Sequence, residues 1–130
     1  MLALFLLISL SLKLNAQCKE VVGYYPNWQW YDRAKLVNPQ SIDYSKYTIL
    51  NYCFFKPEVD GSISLTDPWA DENLLLGETD WINGGYLPNT SIVDVAHNNG
   101  VPVLPSIGGW TLSDNFPGIA ADPVKRTAFA

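Results

Sequence analysis

The sequence predicts an α/β fold, the N-terminal part of a (β/α)8 barrel holding about its first three βα units. Three observations carry that expectation. Short β-rich runs alternate with helical or irregular stretches. Those runs are near-continuously apolar, as in strands buried on both faces of a parallel sheet. The turn after the first run, Pro26-Asn27-Trp28, lacks the Gly-x-Gly-x-x-Gly that a dinucleotide-binding doubly wound sheet needs, which leaves the barrel.

Composition agrees with a packed domain. The 130 residues are 48% hydrophobic and 16% charged, enough apolar material for a core. Net charge is -5, from 13 acids against 8 bases, and no Lys or Arg cluster could neutralise a row of phosphates, so nucleic acid is not an expected partner. With a single histidine, His97, and no Cys-x-x-Cys spacing, neither a metal site nor a cofactor is expected. His97 closes a helical pattern, where its charge would suit the helix dipole.

In chain order, residues 1–16 read as a secretory signal. Leu2 to Leu12 is an apolar run, followed by Lys13 and by Leu14-Asn15-Ala16 as a small-residue cleavage site. The mature chain would start at Gln17, outside the cell or in the periplasm; a buried N-terminal strand is the plain alternative. The run falls short of the ~20 residues of a membrane span, and Gln17 ahead of Cys18 argues against a lipid anchor. Cys18 and Cys53 permit one disulfide, but near opposite ends of neighbouring parallel strands they would lie beyond bridging distance.

Residues 21–25 and 47–55 are the first two strands, ended by Pro26 and Pro57, with one irregular or helical crossover over 32–45. Residues 57–90, rich in Gly, Pro, Asp and Asn with a turn at 59–62, read as one long loop. Ser91-Ile92-Val93-Asp94 has the form of a capping box and opens a helix that Asn98-Asn99-Gly100 stops. The third strand is 101–107, although Pro102 and Pro105 each remove a ladder donor and argue against full pairing. Asp122-Pro123 opens another helix over 124–130.

The remaining signal is aromatic: five Trp, seven Tyr and five Phe, with Tyr24, Tyr25, Trp28, Trp30 and Tyr31 crowded together. At the end of the third strand stands Leu104-Pro105-Ser106-Ile107-Gly108-Gly109-Trp110-Thr111, and barrel enzymes place their sites at strand C-terminal ends. Paired glycines let other groups approach the backbone, and flat amphipathic rings suit the C–H face of a sugar better than charges do.

This segment resembles the Ser-x-Gly-Gly signature of glycoside hydrolase family 18, the chitinases and their relatives. Val22-Gly23-Tyr24-Tyr25-Pro26-Asn27-Trp28 and Leu50-Asn51-Tyr52-Cys53-Phe54 resemble that family's opening strands, in the same order. The resemblance covers most of residues 20–130 and is closest to bacterial chitinases. It implies a TIM barrel of which 17–130 would be an incomplete catalytic domain, with chitin or another N-acetylglucosamine polymer as partner. By matching position, Tyr24 and Phe54 would floor the pocket at the scission point, and Trp28 would stack a sugar further toward the non-reducing side. Trp69 would be another contact, and Gly108, Gly109, Trp110 and Thr111 would line the mouth. Ser106 would be a buried hydroxyl bonded to neighbouring strands. The plain alternative for these aromatics is core packing.

Family members cleave β-1,4 links by substrate assistance, with retention: the sugar's acetamide attacks the anomeric carbon while a Glu protonates the leaving oxygen. That Glu closes an Asp-x-x-Asp-x-Asp-x-Glu motif on the fourth strand. None of Glu20, Glu58, Glu72 and Glu78 lies in such a pattern, and the acids of 67–72 fall in the expected loop, so no catalytic residue is assigned within the chain. The resemblance leaves two readings open, a chitinase-type hydrolase and a chitin-binding lectin of the same fold. An endo-acting enzyme on N-glycans or peptidoglycan is a variant of the first.

Overall fold

A computed structural model describes residues 19–130. The signal segment, its cleavage point and Cys18 lie outside them. Three parallel strands form the sheet: β1 (Val22–Pro26), β2 (Ile49–Pro57) and β4 (Val103–Ile107), with β2 in the middle. A fourth, β3 (Ile63–Leu65), runs antiparallel to the last three residues of β2. Phe55 pairs with both Leu65 and Ile107, so β3 takes over the edge that β1 leaves at Cys53.

Helices α1 (Pro68–Leu75) and α2 (Ile92–Asn98) pack on one face of the sheet. There Tyr25, Leu50 and Tyr52 meet Ala70, Leu74, Ile92 and Ala96, with Tyr44 and Val101 at the margins. Fully burying a side chain such as Leu74 or Ile92 contributes about 1.5–3 kcal/mol each. The buried phenols keep hydrogen bonds: Tyr25 donates to the Val37 carbonyl at 2.9 Å and Tyr44 to that of Pro39 at 2.9 Å. Burial pushes the Tyr44 hydroxyl up to about 12 and Tyr25 higher still.

The other face is open. Continuous apolar runs led us to expect strands covered on both sides, yet Val22, Tyr24 and Leu104 are exposed, since no described element covers that side. Ser106, expected to be buried, is only half-buried on this same face, in register with Cys53. Cys53 itself is a buried free thiol opposite Pro26.

Several elements differ from expectation. The crossover from β1 to β2 is a chain of short 3-10 turns, one of them capped reciprocally by Asn38 and Ser41. Residues 57–90 are no single loop: they contain β3 and α1. The turn at 59–62 closes a hairpin, with Glu58 N–H donating to the Ser62 carbonyl at 2.8 Å. The acids of 67–72 therefore belong to a helix start. Asp67 accepts from the Ala70 N–H at 3.1 Å and caps α1, with Pro68 in the first turn where no donor is missed.

Ser91 caps α2 through the Asp94 N–H at 2.9 Å, and His97 sits in the last turn as expected. The prolines of β4 do not prevent its pairing. Pro102 contributes only its carbonyl, which accepts from Leu50 N–H at 3.0 Å. Pro105 lies three positions on, so in a parallel ladder its missing donor falls on the edge away from β2. A helix not expected, α3 (Phe116–Ala121), precedes α4 (Pro123–Phe129), and the Phe116 and Phe129 rings meet edge-to-face at 5.7 Å. Among the described residues no helix is long and apolar enough to cross a membrane.

Candidate functional site

The C-terminal ends of the three parallel strands open onto a cleft of about 460 Å³. β1 delivers Asn27 and Trp28, β2 delivers Phe54, and the link from β3 to α1 supplies Thr66 and Asp67. The segment leaving β4 adds Gly108, Gly109, Trp110, Thr111 and Leu112.

Phe54 reaches this position because the ladder slips there. Registers on either side of it shift between Cys53 and Phe55, and the Cys53–Phe54 peptide is cis. The Phe54 ring stacks on Trp28 with centroids 6.2 Å apart and planes 30° from parallel. Behind it the backbone comes close: a Cβ on Gly109 would lie 3.2 Å from the Phe54 ring. Gly109 (φ +113°) and Gly108 (φ +87°) both adopt left-handed backbone, and a Cβ on Gly108 would come within 2.6 Å of the Phe116 ring. Space and conformation thus both demand glycine. Ser113 closes the turn, accepting from Gly109 N–H at 3.1 Å and donating to the Gly109 carbonyl at 2.7 Å. Asn115 Nδ2 donates to the Pro57 carbonyl at 2.8 Å, tying the segment to the end of β2. Trp110, held up by this turn, is 99% exposed.

The cleft's polar floor is organised around a carboxylate behind it. Asp71, in the first turn of α1, is 0% exposed. Its Oδ1 accepts from Asn27 Nδ2 at 3.0 Å and from the Tyr52 hydroxyl at 2.5 Å. Its Oδ2 accepts from the backbone N–H groups of Thr66 at 3.1 Å and Asp67 at 2.9 Å. Burial, then the bond to Asp71, holds the Tyr52 hydroxyl far above the ordinary phenol range, so Tyr52 stays a donor. Asn27 Nδ2 also donates to Thr66 Oγ1 at 2.8 Å, and Thr66 Oγ1 donates to the Phe54 carbonyl at 2.8 Å.

Of the residues singled out from sequence, Trp28, Phe54, Gly108, Gly109, Trp110 and Thr111 line the cleft. Tyr24 and Trp69 do not. Tyr24 sits in mid-strand in register with Asn51, 61% exposed on the open face and short of the strand ends. Trp69 projects from the start of α1 and pairs with Trp81 at 6.1 Å, away from the cleft. Sequence reasoning passed over Asn27, Thr66, Asp67, Leu112 and Asp71. The signal for one of them, Asp67, was present, since an Asp-Pro pair is the pattern of a capped helix start.

The cleft carries no cation among the described residues, and one carboxylate, Asp67, stands at its rim. Asp67 Oδ1 also accepts from the Tyr31 hydroxyl at 3.2 Å. The four glutamates lie elsewhere. Glu58 pairs with Lys56 at 3.0 Å and accepts from Ser64, Glu72 accepts from the Tyr86 hydroxyl at 2.6 Å, and Glu78 pairs with Lys35 at 3.3 Å. Glu20 is exposed ahead of β1. A largely apolar, aromatic cleft with no cation and a single carboxylate at its rim suits the C–H face of a neutral sugar.

Comparison with known proteins points the same way. The model of a family described as glycosyl hydrolases family 18 matches residues 20–130. A chitinase-like effector of Moniliophthora roreri is 36% identical over 124 residues, which is 94% of this chain and 25% of that protein. Chitinase ChiA of Flavobacterium johnsoniae is 33% identical over 124 residues, 88% of this chain and 8% of that protein. The Group IV chitinase of Ostrinia furnacalis in complex with allosamidin has the same fold, with a TM-score of 0.66 at 24% identity over 85% of this chain and 27% of that one. The chain spans at most 25% of the length of the two sequence relatives. By the match over residues 20–130, it belongs to glycosyl hydrolases family 18.

Proposed function

We propose that this chain supplies the first βα units and one aromatic wall of a chitinase-type (β/α)8 barrel. The whole protein would cleave β-1,4-linked N-acetylglucosamine polymers by substrate-assisted, retaining hydrolysis. The observation that carries the reading is the stacked Trp28–Phe54 pair over Gly109, at the C-terminal end of a parallel sheet. On this reading Trp28 and Trp110 stack pyranose rings, Phe54 packs beneath them, and Gly108, Gly109 and Thr111 leave room for the sugar. The open sheet face, with Tyr24 and Leu104, turns toward the barrel axis, where Tyr24 would meet the sugar from below.

The chemistry needs two things of the protein: a carboxylic acid to protonate the leaving oxygen, and a cleft that presses the acetamide against the anomeric carbon. Residues 19–130 contribute to the second. With Asp67 committed to capping α1 and no glutamate in the cleft, the acid comes from outside these residues. Residues 17–130 alone would accordingly be inactive. The apolar segment at 1–16 makes the protein a secreted one, which an N-terminus at Gln17 in mass spectra of exported material would support and one at Met1 would refute.

The deciding experiment incubates the complete protein with an N-acetylglucosamine hexamer and follows chain length and anomeric form by NMR. Shorter oligomers appearing first as the β-anomer are expected. Binding without cleavage would transfer the assignment to a chitin-binding lectin, and no binding would remove it.

A further inference from the structure

We propose that Asp71 is a positioning residue that, through Asn27 and Thr66, fixes the Trp28–Phe54 pair in the geometry on which a sugar ring stacks. The inference rests on the reading of the cleft as a sugar site and deepens it.

A fully buried carboxylate is costly, and an apolar side chain of similar size would fill the space under α1 without that cost. What an apolar residue could not do is hold four donors from three separate segments. Asn27 follows β1, Tyr52 lies in β2, and Thr66 and Asp67 belong to the link between β3 and α1. All four donate, so both carboxylate oxygens are fully used.

The two rings of the pair are tied to this hub by short routes. Trp28 is the next residue after Asn27, whose side chain is buried and bonded to Asp71 and to Thr66 Oγ1. Phe54 sits where the ladder slips, so its carbonyl is not held by regular pairing there, and the Thr66 hydroxyl takes it. The route from Asp71 to Phe54 thus runs through a residue whose backbone Asp71 clamps and whose side chain reaches the slipped peptide. Among the described residues, no other chain of side-chain hydrogen bonds joins the backbone after β1 to the Phe54 carbonyl.

The test uses the complete protein and an N-acetylglucosamine hexamer, with affinity read by calorimetry. In Asp71→Asn, the amide NH2 faces either Asn27 Nδ2 and the Tyr52 hydroxyl or the two backbone N–H groups, so at least one donor of the hub loses its acceptor. Thr66→Val keeps the side-chain shape and removes the Asn27–Thr66–Phe54 link. Each is expected to weaken binding roughly tenfold. In a Trp28→Ala background each should cost little more, because non-additivity marks residues that act through one another. Leu74→Ala, a fully buried residue of the same helix outside the network, should lower Tm while leaving affinity within about twofold. Wild-type affinity in both Asp71→Asn and Thr66→Val, losses that multiply with that of Trp28→Ala, or an equal loss in Leu74→Ala would overturn the proposal. If Asp71→Asn does not fold, Thr66→Val decides alone. If the wild type binds no sugar, the functional reading falls separately. The positioning claim is then judged by hydroxyl-radical labelling of Trp28, which should rise in Thr66→Val and stay level in Leu74→Ala; the reverse would refute it.

Discussion

The Trp28–Phe54 pair at the cleft and the Trp69–Trp81 pair beside α1 have nearly the same ring geometry, 6.2 Å and 30° against 6.1 Å and 33°. Their support differs. Phe54 lies in the central strand against Gly109, and Trp28 follows a buried Asn27 in the Asp71 network. Trp81 is 80% exposed near the tip of a small loop closed by the Thr79–Tyr86 bridge, with Asp80 accepting from the Ile82 and Asn83 N–H groups at 2.9 and 3.0 Å. A stacked arrangement by itself therefore says little about a binding role. Two rings offer a defined surface only when the backbone beneath them cannot move.

The largest test of that difference crowds the backing of the first pair. Gly109→Ala places a Cβ 3.2 Å from the Phe54 ring on a backbone with φ +113°. Left-handed strain and overpacking together should destabilise the complete protein by about 3 kcal/mol, read from denaturant midpoints. A cost near zero would mean that Phe54 moves freely and the contrast is false.

Next comes the ring itself. Trp28→Ala should weaken hexamer binding by ~2 kcal/mol if it behaves as a backed aromatic anchor. Calorimetry on the folded variant checks it, and unchanged affinity would return Trp28 to a packing role.

A smaller effect concerns Cys53, next to Phe54, whose thiol burial pushes up to about 11. The folded value lies above the unfolded one of ~8.5, so the protonated thiol favours the folded state below that pH and the advantage is lost as pH rises through 11. Urea midpoints should fall between pH 8 and pH 11 by more in the wild type than in Cys53→Ala. Equal slopes would place the thiol in contact with water.

The smallest effect is expected at the second pair. Trp81→Ala should change stability by less than ~0.5 kcal/mol, since so exposed a ring leaves little buried surface to lose. A loss comparable to that of Gly109→Ala would erase the distinction between the pairs.

Much of the fold was legible because strands and caps leave local marks. Val22–Pro26, Ile49–Pro57 and Val103–Ile107 were visible as apolar runs ended by proline or glycine, and Ser91 and Asp122 announced α2 and α4. Three short elements were hidden. β3 has three residues and α1 eight, inside a stretch whose Gly, Pro and Asp content outweighed the cap at Asp67. α3, with only six residues, left no periodicity to read.

At the site the aromatics and the Gly108-Gly109 pair could be singled out from residue type alone, because a strand end followed by two glycines and a Trp is unusual chemistry in one place. Asp71 could not. Its partners are 44, 19, 5 and 4 residues away in sequence, and it resembles any acid at a helix start.

The sequence by itself determined the α/β class, the family and the residues at the strand ends, since these follow from local pattern and order along the chain. Tertiary structure alone decided that Phe54 leaves the ladder to meet Trp28, that Tyr24 stands on the open face, and that Trp69 turns away to Trp81. It also decided that one buried carboxylate joins the segments around the cleft. The physical reason is that register, ring stacking and the satisfaction of a buried charge depend on which distant segments meet, and no local run of residues encodes that meeting.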